Sequence, residues 1–526
     1  MNLISETVKQ TALETDTLQS IFSQGCKQFR ENTAFVCGPQ NLSYLALEQD
    51  SRNFAAYIQN HTDLQPGDRI ALQLPNCLAY PIFAWGALRA GLILVNINPL
   101  YTENELRHMY QDSGAKALIV LSSSLELVTD LVNESDISAL FYLNNQTPSL
   151  ESLQVDYCEF SELLSMGSKS KFTAVSAKAD DIALLQYTGG TTGLSKAAVL
   201  THENLISAAH SFWETTAVFE AGNEIFAAPL PLYHVYAFVG HIMVGVIYGV
   251  TSILIPNPRD LPAVYEALKD NKFSLFVGIN TLFNLVCQDP QFRTLDFSGL
   301  KFTLSGGMAL NQSVALRWEA LTHCQINEGY GLTESSAGVI INRGQNCRRL
   351  GSVGKPMQGV EIKILDDNQQ PIAPGGKGEL HIKGKQIMKE YWQNPEATAA
   401  TLKDGWLATG DIATIDEDGF IYIVDRIKDM ILVSGFNVYP AEIEQVVNRL
   451  EDIQECAAIA IQSEDSGEAV QLFVVRKQNA LSENDIIEHC RANLAPYKIP
   501  KIIKFIDELP KSPVGKILKR ELSPNS

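Results

Sequence analysis

Ten consecutive residues, Tyr187-Thr-Gly-Gly-Thr-Thr-Gly-Leu-Ser-Lys196, carry three glycines, three threonines, a serine and a lysine. Glycine lets the main chain approach a ligand closely and adopt positive φ. Successive free N–H groups then form a concavity that accepts phosphate oxygens. The hydroxyls add donors or a magnesium contact, and Lys196 adds a mobile positive charge. Thr188, Gly189, Gly190, Thr191, Thr192, Gly193 and Lys196 are therefore candidates for a polyphosphate cradle. The string is not the ordinary nucleotide loop, which ends in Gly-Lys-Ser/Thr. Here Lys196 stands between Ser195 and Ala197, which speaks against a kinase of that type. Taken alone, a Gly/Thr-rich surface turn reads the same way.

Four further stretches carry chemistry. Asn327-Glu-Gly-Tyr-Gly-Leu-Thr-Glu334 sets glycines, an aromatic ring, a hydroxyl and a carboxylate within eight residues. The ring can stack on a base, Thr333 can bond a phosphate, and Glu334 can hold magnesium, a hard cation that prefers oxygen. Gly405-Trp-Leu-Ala-Thr-Gly-Asp411 ends in a carboxylate able to accept both ribose hydroxyls. Asp425-Arg-Ile-Lys-Asp429 is a charged connector in which Arg426 can contact ribose or phosphate and Lys428 can absorb a backbone rotation. Pro510-Lys-Ser-Pro-Val-Gly-Lys516 is a Pro/Gly loop presenting Lys516 ahead of a basic tail. Each of these, in isolation, also fits a polar turn or a solvated terminus.

In this order and spacing the five strings resemble the signatures of the adenylate-forming superfamily: acyl-CoA synthetases, luciferases and peptide-synthetase adenylation domains. The likeness runs over nearly the whole chain. Asn98-Pro-Leu-Tyr-Thr, Pro229-Leu-Pro-Leu-Tyr-His234, Asn280-Thr-Leu-Phe-Asn and Asp425 to Glu444 look most like bacterial long-chain fatty-acid–CoA ligases. Ala197 departs from the pattern, where the family commonly has glycine, and the polar region around 144–178 looks shorter than in close relatives. The resemblance implies that a fatty acid is first joined to AMP from ATP, with Mg2+, and is then passed to coenzyme A. It implies that residues 187–196 hold the β and γ phosphates and that Thr188 and Glu334 assist magnesium. Gly307 and the run Glu328, Gly329, Tyr330 would frame adenine, with Thr333 near the phosphates. Asp411 and Arg426 would hold the ribose, and Lys516 would bridge the carboxylate and the α-phosphate. Lys428 would be the hinge of a rotating C-terminal domain, Ser434, Gly435 and Phe436 the guide for CoA, and His234 and Phe238 part of the acyl pocket. A medium-chain or aryl-acid ligase, a fatty acyl-AMP ligase serving a carrier protein, and a non-catalytic lipid-binding protein are the alternatives. No extra insertion around 345–360 supports the carrier-protein reading. The resemblance also leaves room for peripheral contact with the inner face of the membrane, in an otherwise cytoplasmic enzyme, and for a homodimer.

The elements that must position these residues fit an α/β chain. Helical and strand patterns alternate from 1 to about 180, and again from 181 to about 345, as in mostly parallel sheets covered on both faces. The stretch 144–178 patterns weakly and reads as a connecting excursion. From 346 to 424 short alternating strands with turns suggest a small β-barrel. A hinge at 425–430 then opens a smaller α+β domain, 431–526.

At 526 residues, more than one core is expected. A net charge of −19 argues against nucleic acid as a partner. Nine scattered cysteines without a Cys-x-x-Cys pair fit a reducing compartment. Val235 to Ile255 is charge-free and long enough to span a bilayer. We read it instead as a buried helix, a break at Gly249-Val-Thr, and a core strand.

Overall fold

The computed structural model describes residues 17–148, 150–188, 195–344, 347–450, 452–463, 466–477, 481–511 and 517–522. Among these residues two large sheets, a small antiparallel sheet and a C-terminal sheet make up the fold. The first large sheet has at its centre Arg69–Leu72, Ile93–Asn96 and Ala115–Leu121, all parallel. Apart from Arg69, Asn96 and Lys116 these strands are apolar, as in parallel sheets covered by helices on both faces. Ile182–Tyr187 joins beside Ile93–Asn96, and Ala197–Thr201 folds back antiparallel to it. The second large sheet runs parallel through Thr251–Leu254, Ile225–Ala228, Leu275–Gly278, Phe302–Ser305 and the start of Ile326–Leu332.

A cut at residue 180 does not separate these sheets. Thr33–Cys37 and Gln40–Ser43, early in the chain, sit at the edge of the second sheet against Thr251–Leu254. Conversely Ile182–Tyr187, Ala197–Thr201 and the late strand Glu390–Tyr391 belong to the first. Pattern alone assigns strands to sequence neighbours, whereas these pairings are made across hundreds of residues.

The stretch 144–178 is also more ordered than a connection. Asp156–Glu159 extends the first sheet in parallel beside Ala139–Leu143, and the helix Phe160–Ser168 packs on the helix Tyr44–His61. Its strand is an edge with only Cys158 buried, so no apolar alternation marks it. The helices touch closely enough that a Cβ on Gly167 would lie 2.0 Å from the Asn53 carbonyl.

Among the described residues, no helix is long and apolar enough to cross a membrane. The charge-free stretch folds as short helical pieces ending at Gly249, whose φ of 69° closes the last turn, before Thr251–Leu254. Its central segment, Phe238–Met243, is a π-helix, a wide turn that often marks functional sites.

The region expected as a barrel is a five-stranded antiparallel sheet. Its long strand Trp406–Ile415 pairs with Leu402–Lys403 at one end and with Ile421–Arg426 along the rest. A 3-10 turn, Ile427–Asp429, leads to the last sheet, built on the pair Ile453–Ser463 and Gly467–Arg476 and backed by the helices Pro440–Val447 and Glu483–Asn493.

Candidate active site

The two ends of the glycine loop are fixed by a hairpin. Tyr187 lies opposite Ala197, and the Thr188 N–H donates to the Lys196 carbonyl at 2.9 Å. Ala197, where the resemblance implies a glycine, is thus a buried strand residue that needs no special φ. Gly189, Gly190, Thr191, Thr192 and Gly193 lie outside the described residues. His108, from the helix Glu103–Ser113, bonds the Ser195 carbonyl through Nε2 at 2.9 Å and so anchors the loop's far end.

Glu334 is brought to this loop by a change of partner within one strand. Ile326–Leu332 begins parallel to Phe302–Ser305, then leaves to pair antiparallel with Ala337–Ile341. A Cβ on Gly331 would stand 1.8 Å from the Ala337 carbonyl, so only glycine allows that hairpin. Thr333 and Glu334 follow in a 3-10 turn. The Tyr391 hydroxyl donates to Glu334 Oε1 at 2.7 Å, and Lys196 Nζ lies 4.6 Å from the centre of the same ring. Tyr391 therefore ties the lysine of one motif to the carboxylate of another.

Asp411 is buried, and both its oxygens are engaged. The Tyr330 hydroxyl donates to Oδ2, and Arg426 Nε lies 3.1 Å from Oδ1. The register that pairs Asp411 with Arg426 across neighbouring strands makes this contact. Glu379 holds the turn before it by accepting the Gly410 N–H at 3.0 Å. The neighbouring His381 imidazole is the main influence keeping the Glu379 carboxyl below its usual range.

These groups surround a cavity of about 810 Å³. Its polar wall contains Thr188, Ser195, Lys196, Gly307, Tyr330, Thr333, Glu334, Arg426 and Lys428. Its apolar wall comes from the middle of the second sheet, with Leu275, Val277 and Ile340, and from the π-helical segment, with Val235, Val239 and Gly240. Gly307, at φ 80°, turns the chain where a Cβ would meet nothing. The Tyr236 ring lies 3.3 Å from where a Cβ on Gly306 would stand, so Gly306 admits it to the junction of the two walls. Leu518 and Arg520, from the far C-terminus, complete the polar side. Burial, reinforced by Arg426, lowers the Lys428 amine from its usual range.

Several expected residues stand elsewhere. Phe238 is fully buried in the core and outside the cavity wall. Along the short helix Val235–Ala237 and the π turn that follows it the wall is formed by Val235, Tyr236, Val239, Gly240 and His241, without Phe238. His234 does stand in the wall, with Nδ1 accepting the Tyr236 N–H at 3.3 Å as a helix cap. Glu328 is not in the wall but behind it, accepting the Gly351 N–H at 3.0 Å. Burial pushes its carboxyl up to about 7. Ser434 and Gly435, at φ 50° and 83°, are the central residues of a two-residue hairpin turn, and Phe436 is exposed and stacked on Tyr497. Positive φ at both positions is the type I′ requirement, which accounts for this glycine without a ligand. None of the three reaches the cavity. Lys516 lies outside the described residues.

A family model for AMP-binding enzymes matches residues 22–392, and one for the C-terminal domain of such enzymes matches 442–516. The chain belongs to the AMP-binding enzyme family. Its similarity to curated relatives extends from end to end. It is 42% identical to the long-chain-fatty-acid–CoA ligase of Salmonella typhimurium, over 96% of this chain and 94% of that one. It is 35% identical to the ligase of the same name in Bacillus subtilis, over 97% and 94%. Among solved structures it resembles ATP-bound MatB from Rhodopseudomonas palustris, at 26% identity and a TM-score of 0.84, over 95% of this chain and 97% of that one. A benzoate CoA ligase from Burkholderia xenovorans gives 25% and 0.85, over 96% and 99%.

Within this AMP-binding enzyme, sequence reasoning missed His108, Tyr391 and Glu379. Neither His108 nor Tyr391 lies in a glycine-rich or basic string, Glu379 follows Gly375-Gly-Lys-Gly378, which reads as a turn into a strand, and each acts on a motif elsewhere in the chain. Tyr391 sits in Lys389-Glu-Tyr-Trp392, a short edge strand whose only signal is a pair of aromatics.

Proposed function

We propose that this enzyme activates a long-chain fatty acid with ATP and transfers the acyl group to coenzyme A, releasing AMP and pyrophosphate. One observation carries the reading: a single cavity joins a wall of hydroxyl, carboxylate and cationic groups to an apolar wall cut into the core of the second sheet. The first suits a nucleoside triphosphate and the second an alkyl chain. The names of the curated relatives agree with it.

In the first step a carboxylate oxygen bonds to the α-phosphorus while the bond to pyrophosphate breaks. Such a transfer depends on positioning and on neutralising charge. Lys196, steadied over Tyr391, faces the β and γ phosphates together with the Thr188 hydroxyl. Magnesium, which keeps several waters and needs few protein ligands, would be held by Glu334 and Thr188 and would screen phosphate charge. Glu334 fits that role, since its second oxygen is not the one that Tyr391 engages. Arg426, oriented by Asp411, faces the ribose, and Tyr330 with Gly307 frames the base. Lys516 bridges the carboxylate and the α-phosphate.

In the second step the CoA sulfur bonds to the acyl carbon, and AMP leaves with the carboxylate oxygen. A second cavity, of about 940 Å³, lies between the large domain and the C-terminal domain. It shares Leu230, Pro231 and Ile279 with the first, so the two are neighbours across those side chains. We assign it to the approach of the pantetheine arm. The domains in this reading are 1–424, a hinge at 425–430 centred on Lys428, and 431–526.

The test is acid-dependent exchange of pyrophosphate into ATP across acids from hexanoate to stearate, with thioester formation followed in parallel. Exchange with long chains, coupled to thioester and lost in Lys516→Ala, is expected. A loss on the order of 10²–10³ is the scale set by removing one transition-state donor. Exchange with aryl or medium-chain acids alone would overturn the long-chain assignment. Exchange without thioester would point to a carrier protein as acceptor.

A further inference from the structure

Two polar side chains of the cavity wall, Tyr236 and His241, carry a buried polar atom with no hydrogen-bond partner among the described residues, and His241 is the one set further from the nucleotide side. His241 is 1% exposed and stands in the wall. Its Nδ1 faces Ser252 Oγ at 3.1 Å, on the strand Thr251–Leu254 behind it. Its Nε2 is buried and has no hydrogen-bond partner among the described residues. Nδ1 and Nε2 diverge on the ring, so Nε2 is directed away from the strand that Nδ1 contacts. Phe226 closes the edge of the imidazole. Burying such a group without a partner is costly, and native structures seldom do it without a reason.

Position separates His241 from the reacting carboxylate. Tyr236 marks the junction with the nucleotide wall through Gly306. His241 lies five residues further along the chain, inside the π-helical segment Phe238–Met243. An acyl chain that has its carboxylate at the junction passes His241 with its methylenes. Methylenes cannot serve Nε2. The ring is also neutral, because burial drives it down to about 3, so it is a poor partner for an anion. A neutral imidazole offers one donor and one acceptor. Ser252 occupies one of these, and the tautomer sets what remains. A hydroxyl both donates and accepts, so it satisfies either tautomer.

We propose that His241 is a recognition point for a hydroxyl carried on the acyl chain, so that the cavity takes hydroxylated long-chain acids as specific ligands. The proposal rests on the reading of this cavity as the acyl site. A hydroxyl on the wrong carbon misses Nε2 and is buried unpaired, so discrimination by position follows.

Calorimetry on the full chain would compare palmitate with its positional hydroxy isomers in wild type, His241→Leu and His241→Gln. One or two isomers with the hydroxyl several carbons from the carboxylate should bind wild type at least as well as palmitate. The ratio of their affinity to that of palmitate should fall about tenfold in His241→Leu, the scale of one buried hydrogen bond. His241→Gln, which keeps a polar group there, should restore most of it. An unchanged ratio for every isomer, as expected where an ordered water serves Nε2, overturns the proposal. Should the leucine variant not fold, a crystal structure of wild type with the best isomer decides. A hydroxyl within hydrogen-bond distance of Nε2 supports the proposal, and one placed elsewhere overturns it. Failure of the ligase reading would show separately, as no thioester from palmitate with ATP and CoA, while the binding ratios still decide the role of His241.

Discussion

Each oxygen of Asp411 is engaged, one by Tyr330 and the other by Arg426. It therefore acts by holding two wall residues in place, and its loss should be felt at the nucleotide. In Asp411→Asn one acceptor becomes a donor facing a donor. We expect KM for ATP in the exchange reaction to rise by roughly tenfold to a hundredfold, the range for a hydrogen bond to a charged group. Tyr330→Phe removes one neutral donor and should cost less. Equal KM values in Asp411→Asn and wild type would show that the triad does not order the site. Glu328 carries a pH signature of its own. Its carboxyl is raised in the folded state to about 7, from 4.5, by burial. The folded protein therefore binds the extra proton between those values, and stability falls as pH rises through that window. Below it the contribution is fully present. Melting temperature in Glu328→Gln should depend less on pH between 5 and 7 than in wild type, by on the order of 1 kcal/mol per pH unit. Parallel melting curves would refute the shift. At this scale Thr188, Glu334 and Tyr330 were legible because each sits in a glycine-rich string with its chemistry beside it. Tyr391 and His108 were not, since a residue that serves a distant motif leaves no local pattern.

Two glycines show how elements, rather than side chains, set the site. Gly331 lets the strand Ile326–Leu332 switch to the hairpin that delivers Thr333 and Glu334. Gly167 lets one helix lie on another far from the cavity. Alanine at either position forces backbone apart, a cost of about 1–3 kcal/mol in stability. Only Gly331→Ala should also raise KM for ATP, because of the two only that hairpin carries cavity-wall residues, Thr333 and Glu334. If both variants melt early with unchanged ATP kinetics, the hairpin is not what positions Glu334. The π-helical segment makes a separate point. A Cβ on Gly240 would meet nothing within 4 Å, and Gly240 stands in the cavity wall. Leucine there would extend into the acyl space, so Gly240→Leu should move the preferred acid to shorter chains in the exchange assay. An unchanged chain-length profile would place the acyl chain elsewhere. Reading the charge-free run as a buried helix with a break at Gly249 matches the structure. The family resemblance pointed to Phe238 rather than to Val239, Gly240 and His241, because one wide turn shifts which residues share a face and nothing in the sequence announces it.

At the scale of the whole molecule, the chain divides its work between a rigid cavity and a small domain joined to it by a short turn. The order of the motifs made the α/β class and the C-terminal unit legible. The interleaving of the two large sheets was not legible, because Thr33–Cys37 pairs with Thr251–Leu254 across a separation that no local pattern encodes. At the junction Asp425, on the last strand of the small sheet, accepts the Ala441 N–H at the start of the helix Pro440–Val447. Lys519 meets Glu444 of that helix at 2.7 Å. The C-terminal segment thereby stands with Leu518 and Arg520 in the cavity wall, and under the proposed reaction we assign this orientation to the first half-reaction. In the same proposal the small domain turns between the half-reactions, and Ile427–Asp429, between the two sheets, is where it would turn. Proline at Lys428 pins φ near −65°, a value that a 3-10 turn already uses. Lys428→Pro should therefore lower pyrophosphate exchange far less than thioester formation, the smaller loss reflecting the cation removed from the cavity wall. Thioester formation should drop on the order of a hundredfold, if barring the rotation costs about 3 kcal/mol. Loss of exchange with thioester formation from preformed acyl-adenylate intact would assign this orientation to the second step instead. Equal retention of both would mean that no rotation at Lys428 separates them.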